Sequence, residues 1–257
     1  MGKAGVVVMT KPPFGVIPPT DTNEWHWHLH LTRLYAALIL GGHHFAEASY
    51  GDGEWFCILG YEGKTARGQV YNPKLRADLI RTLMEPVGQW CCYWGHPTKK
   101  VLRAECDAWL EKNQPPVVWF AQRALPPANC HGNLWPLFRA LKTRKILLVG
   151  PSHLERLPDG VIGKPVARVE VHPTDAWKQV DDVCGQVTEA IRETGADVVL
   201  FSAGMAAPVM VHQLWGHRKD ATFWDIGAIL DPYCGVFSRK VYVLKTWQDN
   251  IMPLNLR

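Results

Sequence analysis

The second half of the chain alternates short apolar runs with helical segments, and this rhythm limits the possible folds most strongly. KILLVG (145–150) and ADVVLFSAG (196–204) are continuous apolar runs typical of strands buried on both faces. VARVEV and TFWDIG predict two further strands, and helical patterns cover 136–143, 174–193 and 206–215. This order predicts an α/β fold, namely a doubly wound, mostly parallel, Rossmann-like sheet with helices on both faces.

The first half of the chain predicts a helix, a strand and then a mixed α/β pattern. Thr22 or Asn23 is a suitable cap for a helix that runs to Ile39 and stops at Gly41-Gly42. HFAEASY predicts a strand, QWCCYW a buried strand, and 73–85 and 99–112 predict helices. Residues 1–22 carry four prolines and predict an extended N-terminal arm, so that 23–257 form one domain.

Composition excludes several classes of protein. The chain has 257 residues, of which 47% are hydrophobic, and a formal charge of +4, which rules out a disordered tail and a disulfide miniprotein. Seven cysteines occur without a C-x-x-C spacing, which predicts reduced, mostly buried thiols. No run of about 18 apolar residues is present, so we expect a cytoplasmic protein with no membrane insertion.

The densest chemical signal is the segment SYGDGEW at 49–55. Read as an extended segment, it directs Asp52 and Glu54 to the same side, while Gly51 and Gly53 let the backbone approach a ligand closely. Such a carboxylate pair suits Mg²⁺ or Mn²⁺ shared with diphosphate oxygens. The alternative is a β-turn in which Asp and Gly serve backbone geometry alone.

A second set of candidate residues follows the predicted parallel strands. Ligands of such sheets bind beyond the carboxyl ends of the strands, where Gly150, Ser202, Gly204 and Asp225 fall. Tight strand-to-helix turns account for the glycines equally well.

Four segments together resemble a known family. SYGDGEW is similar to the RxGDGE segment of the bacterial glycosyltransferases that define the GT-D fold, first catalogued as a domain of unknown function. KILLVGP, ADVVLFSAGMAAPVMVHQLW and WDIGAILDPY resemble later segments of that family in the same order, so the resemblance spans about residues 30–235. The chain departs from the family where Ser49-Tyr50 replaces a basic residue and where Ala228 replaces a frequent histidine.

The resemblance implies sugar transfer from a nucleotide diphosphate donor, commonly a UDP-sugar, assisted by Mn²⁺ or Mg²⁺. Asp52 and Glu54 would then hold the metal directly or through water. Backbone N–H groups around Gly150–Ser152 and around Ser202–Gly204 would hold phosphate oxygens or the nucleoside. Pro151, which has no N–H, would contact the ligand through its ring. Asp225 is a candidate catalytic base or outer metal ligand, or else it caps a neighbouring helix.

The acceptor and two alternative functions stay open. A glycan, a protein or a modified DNA base is compatible with the aromatic residues, Trp55 foremost, and with basic groups such as 142–145. One alternative is a non-catalytic nucleotide or nucleic-acid binding protein. The other is a zinc hydrolase that uses His26, His28 and His30, although on a helix only His26 and His30 share a face.

Overall fold

The computed structural model describes residues 7–8, 24–65, 68–93, 100–122 and 125–257. The strands are β1 (Val7–Val8), β2 (His43–His44), β3 (Ala46–Tyr50), β4 (Trp90–Tyr93), β5 (Val118–Gln122), β6 (Ile146–Gly150), β7 (Ala167–Glu170), β8 (Val198–Phe201) and β9 (Thr222–Asp225). The helices are α1 (Glu24–Leu40), α2 (Asp52–Leu59), α3 (Pro73–Met84), α4 (Lys100–Asn113), α5 (Leu125–Cys130), α6 (Trp135–Leu141), α7 (Asp159–Ile162), α8 (Val180–Thr194), α9 (Ala207–His217) and α10 (Lys240–Val243).

Seven strands form one sheet in the order β5-β4-β3-β9-β8-β6-β7, and every neighbouring pair is parallel. The predicted doubly wound α/β fold is therefore confirmed. β1 pairs in parallel with β2 outside this sheet. Apart from Val7–Val8, the predicted N-terminal arm lies outside the described residues, as do the candidate caps Thr22 and Asn23.

Helices cover both faces of the sheet, and each face has its own apolar core. Alternate residues of β8 divide between the cores: Val199 and Phe201 pack with α2, α3, α4, α8 and α9, whereas Val198 and Leu200 pack with α1, α5, α6 and α7. Burial on both faces is the reason that these strands are apolar at every position rather than at every second one. Burial of the central strands between two helical layers thus explains the continuous apolar runs of the sequence.

Local signals explain several helix boundaries. The Asn72 side chain accepts a hydrogen bond from the Lys74 N–H at 2.8 Å, and Pro73 occupies the first turn of α3. α8 ends at Gly195, which has a φ of 68°. A 3₁₀ turn, Ala176–Gln179, precedes α8, so the helix predicted over 174–193 begins six residues later than expected.

The cysteine prediction is confirmed, because all seven thiols are free and only Cys130 is less than buried. Across the described ranges, none of the helices combines the length and the apolar character needed to cross a membrane.

Candidate ligand-binding site

The crevice of this sheet lies between β6 and β8. β6 leads into α7 on the α1 side of the sheet, whereas its neighbour β8 leads into α9 on the opposite side. Loops that leave adjacent parallel strands toward opposite faces open a crevice at the carboxyl edge, where α/β proteins bind their ligands. The topology therefore places a crevice at the carboxyl edge between β6 and β8.

A cavity of about 340 Å³ occupies this point. Pro151, Ser202 and Gly204, three of the residues predicted to bind a ligand, line it. Its volume lies within the range of small-molecule sites. A more open groove of about 660 Å³ runs between α8 and α9 beside Glu189, Gln213 and Arg218, but it is not at the switch point of the sheet.

The two predicted loop glycines are required for close packing. A Cβ built on Gly150 would collide with Leu154 and come within 3.2 Å of the Ser202 Cβ. Gly204 has a φ of 57°, and a Cβ there would collide with the Gln69 amide. The Ser202 N–H donates to the Val149 carbonyl at 2.8 Å and is thereby used by the sheet. The tight-turn interpretation thus accounts for both glycines, and phosphate binding by these loops stays a prediction.

Gln69 is a crevice residue that the sequence did not indicate. Its Nε2 donates to the carbonyls of Pro173 (3.2 Å) and Ala203 (3.4 Å), and its Oε1 accepts from the Met205 N–H (3.1 Å). These bonds join the loop after β7 to the loop after β8. The surrounding sequence, GKTARGQV, contains no motif that would have singled it out.

The predicted extended arrangement of Asp52 and Glu54 is wrong. α2 begins at Asp52 directly after Gly51, so the two acids occupy the first turn of a helix. Side chains two apart on a helix do not face each other. The Glu54 Oε2 accepts a hydrogen bond from the Gly51 N–H at 2.8 Å and so caps the start of the helix, although Gly51 has no side chain to return the bond. Acidic residues also suit a first turn because the helix dipole is positive there.

The first turn of α2 nevertheless lies beside the crevice. A Cβ built on Gly53 would be 3.0 Å from the Thr65 Cγ2 and 3.3 Å from the Met205 Cγ. Met205 belongs to the 3₁₀ turn Gly204–Ala206 after β8. Although β9 lies between β3 and β8, the turns after these two strands are therefore in close contact, and Gly53 is the residue that permits it.

Asp225 fastens the ends of two strands. Its Oδ2 accepts from the Ser49 N–H (3.2 Å) and its Oδ1 from the Gly227 N–H (3.0 Å), while the Ser49 hydroxyl donates to its carbonyl (3.2 Å). The residue is 5% exposed. These contacts join β3 to β9 and account for Asp225 structurally; its catalytic role stays a prediction.

A histidine–carboxylate pair also lines the cavity. The His153 Nε2 lies 3.0 Å from the Asp231 Oδ1, and the Asp231 side chain is 1% exposed. His153 follows β6, whereas Asp231 follows β9, so the fold joins residues that are 78 positions apart. The candidate site residues drawn from the sequence include neither His153 nor Asp231.

The prediction that Trp55 contacts a ligand is wrong. Trp55 is 1% exposed and packs edge-to-face on Trp109 with ring centroids 5.8 Å apart. Trp90 is stacked on Phe45 within the other core, at 5.0 Å. Both residues face inward because their strands and helices are covered on those sides. Trp94 lies outside the described residues.

The histidines of the predicted zinc site and the predicted basic group at 142–145 lie away from the crevice. His28 and His30 are on α1, where His28 stacks on His131 at 6.0 Å; the His26 side chain lies outside the described part of the chain. No three His, Cys, Asp or Glu residues among those described form a group that could hold a metal. Arg144 pairs with Asp197 at 2.7 Å at the amino ends of β6 and β8, opposite the crevice.

The fold and the crevice define an α/β protein whose candidate ligand site lies at the carboxyl edge of its sheet. Comparison with solved structures identifies the fold more closely. The chain is similar to a selenomethionine-substituted structure of domain of unknown function 1792, with a TM-score of 0.55 and 16% identity. It is similar to the same extent to a second structure of this domain, with a TM-score of 0.54 and 16% identity. That structure is described as showing that the highly conserved domain of unknown function 1792 has a distinct glycosyltransferase fold. Each match covers 88% of this chain and 98% of the other.

This chain therefore has a glycosyltransferase fold, and the resemblance to the GT-D proteins is confirmed at the level of the fold. No protein-family model matches the sequence, and no curated protein matches it either.

Proposed function

We propose that this protein transfers a sugar from a nucleotide diphosphate donor, with a divalent cation held at the first turn of α2. The observation that carries this proposal is the contact of that turn, through Gly53, with the Met205 turn beside the crevice, within a glycosyltransferase fold. Donor diphosphate bound in the crevice would then lie next to Asp52 and Glu54. The commonest donor of the resembling family, a UDP-sugar, is the first to test.

The residues of this turn fit Mn²⁺ or Mg²⁺ in one particular way. These cations prefer carboxylate and phosphate oxygens and are often held by one or two carboxylates together with substrate phosphates. Asp52 would supply one carboxylate directly, and Glu54, which does not face Asp52 on α2, would reach the same cation through water; no further His, Cys, Asp or Glu completes a three-residue metal group in the described ranges. The cation would therefore bind tightly only together with the donor.

The chemistry of sugar transfer explains why such a site is useful. Breaking the bond between the sugar and the diphosphate builds negative charge on the leaving phosphate. A bound cation neutralises this charge without a proton transfer. Glu54, which also caps α2, would fix the position of the turn. Asp52 is the first residue of α2.

The test is binding of UDP-, GDP- and TDP-sugars with and without Mn²⁺, measured by calorimetry and by release of the nucleotide diphosphate. We expect Asp52→Asn to weaken Mn²⁺-dependent binding about tenfold or more, which corresponds to about 1.4 kcal/mol. Glu54→Gln keeps an oxygen for the Gly51 N–H, so its effect on binding is separable from helix capping. Asp159→Asn, in the exposed first turn of α7, is the matched control.

Two results would contradict parts of this proposal. Normal Mn²⁺-dependent turnover in both Asp52→Asn and Glu54→Gln removes the metal role of this turn. Donor binding without turnover of any nucleotide sugar supports the non-catalytic alternative instead. Salt-sensitive DNA binding in a gel shift would favour a modified DNA base as acceptor over a glycan or a protein.

A further inference from the structure

His153 and Asp231 form the group in the crevice whose chemistry the proposed metal site does not use. They come from the turns after β6 and β9 and meet at 3.0 Å beside Ser202 and Gly204. Among the described residues that line the cavity, the titratable side chains are His153, His172 and Asp231. His172 is held differently, since its Nδ1 accepts from the backbone N–H groups of Thr174 and Asp175 at 3.3 and 3.2 Å.

The pairing selects the tautomer in which His153 can act as a base. With the Asp231 oxygen as acceptor, the Nε2 of a neutral His153 ring carries the hydrogen of this bond. In that tautomer the other ring nitrogen, Nδ1, holds a lone pair that can take a proton. The Asp231 side chain is 1% exposed and the His153 side chain 20% exposed, so a buried carboxylate orients a ring that remains accessible.

We propose that His153 is the general base for the acceptor and that Asp231 positions it. This inference rests on the proposed sugar transfer. It assigns the role of base to His153 rather than to Asp225, the candidate that the sequence analysis named. Asp225 is a poorer candidate because both of its carboxylate oxygens accept backbone N–H groups. A histidine held by a carboxylate is the arrangement by which proteins commonly activate a hydroxyl.

The reaction step balances without another reactant. The His153 Nδ1 takes the proton of the acceptor hydroxyl while the acceptor oxygen forms a bond to the anomeric carbon. The bond from that carbon to the diphosphate oxygen breaks, and its electron pair leaves with the nucleotide diphosphate. Asp231 balances the charge of the resulting imidazolium. Because the acceptor displaces the diphosphate in a single step, the transferred sugar has inverted configuration at the anomeric carbon.

Hydrolysis of the donor tests this step before the acceptor is known, because water then takes the place of the acceptor. We expect His153→Gln to lower turnover about 10²- to 10⁴-fold, the usual range for a lost general base, with the dissociation constant of the nucleotide sugar changed less than about threefold. Asp231→Asn should lower kcat by less and leave KM unchanged. His153→Ala should regain turnover with added imidazole, which a merely structural role would not produce.

The control and the contrary results separate this inference from the proposed function. His217→Gln, at the exposed end of α9, should hydrolyse the donor at the wild-type rate. Wild-type turnover in His153→Gln overturns the role of His153 and leaves sugar transfer intact. Loss of donor binding in that variant, or a sugar released with retained configuration, also overturns it. A wild type that hydrolyses no nucleotide sugar removes the proposed function, and the role of His153 falls with it.

Discussion

Gly204 occupies the left-handed region of backbone conformation with the Gln69 amide against its α-carbon. Both the backbone conformation and the packing at this position therefore require glycine. A side chain would strain the backbone at a φ of 57°, and its Cβ would displace an amide that joins the loops after β7 and β8. The shape of the crevice wall thus depends on the absence of a side chain, rather than on any polar group of Gly204.

We expect Gly204→Ala to lower the free energy of unfolding by about 1–3 kcal/mol, because it combines a strained φ with overpacking. Urea denaturation measures this loss. Gly185→Ala is the matched control: Gly185 is exposed within α8, and a Cβ there meets nothing within 4 Å. That variant should gain about 0.5–1 kcal/mol from helix propensity. Equal effects of the two substitutions would contradict the packing argument.

At the scale of the elements, one buried carboxylate joins four of them. Glu47 on β3 is 2% exposed and accepts from the Tyr35 hydroxyl on α1, from the Trp224 Nε1 on β9 at 3.0 Å and from the Cys92 thiol on β4 at 3.0 Å. Burial raises the pKa of Glu47 above its ordinary value of 4.5, although the three donors oppose this shift. The ionised form is therefore less stable here than in the unfolded chain.

The raised pKa sets the sign of a pH effect. The folded protein holds the Glu47 proton to higher pH than the unfolded chain does. The stabilising contribution of Glu47 is therefore complete below about pH 4.5, its ordinary pKa, and is lost as pH rises through the raised pKa of the folded state. We expect the free energy of unfolding of the wild type to fall, relative to Glu47→Gln, as pH rises above about 4.5. Urea denaturation at several pH values measures the difference. Glu111→Gln, which removes an exposed carboxylate of α4, controls for net charge, and parallel wild-type and Glu47→Gln profiles would refute the prediction.

The elements were largely predictable, and the exceptions have physical reasons. Strands such as β6 and β8 are apolar at every position because both of their faces are buried, and this pattern is visible in the sequence. α2 was misassigned because Gly-Asp-Gly-Glu suits a β-turn and a helix first turn equally well. The pairing of His153 with Asp231 and the bonds of Gln69 join loops distant in the chain, so no local pattern reports them.

At the scale of the whole molecule, a buried amide pair fixes the C-terminal segment to the rest of the fold. The Asn255 Oδ1 accepts from the Leu134 N–H at 2.8 Å, and its Nδ2 donates to the Asn129 carbonyl and side-chain oxygens at 3.0 and 2.9 Å. The Tyr233 hydroxyl donates to the same Asn129 oxygen at 2.8 Å. Since Tyr233 shares its 3₁₀ turn with Asp231, this network supports the crevice from behind.

Asn255→Ala should therefore lower the free energy of unfolding by about 1–3 kcal/mol, because it leaves buried polar groups without partners. Asn250→Ala, an exposed residue of the same segment, is the control and should change stability by less than about 0.5 kcal/mol. Urea denaturation of both variants measures the difference. A loss no larger than that of the control would show that the network does not stabilise the segment.

β9 is the final strand in chain order, yet it lies between β3 and β8. The bond from the Ser49 N–H to Asp225 joins residues 176 positions apart, so β3 cannot be connected to β8 through β9 until the segment around residue 225 has left the ribosome. A nascent chain that stops earlier has both halves of the sheet with exposed edges, which invite pairing with other chains. Sheets that depend on such distant pairings also form slowly. We therefore expect a chain that stops before β9 to associate with other chains through these open edges.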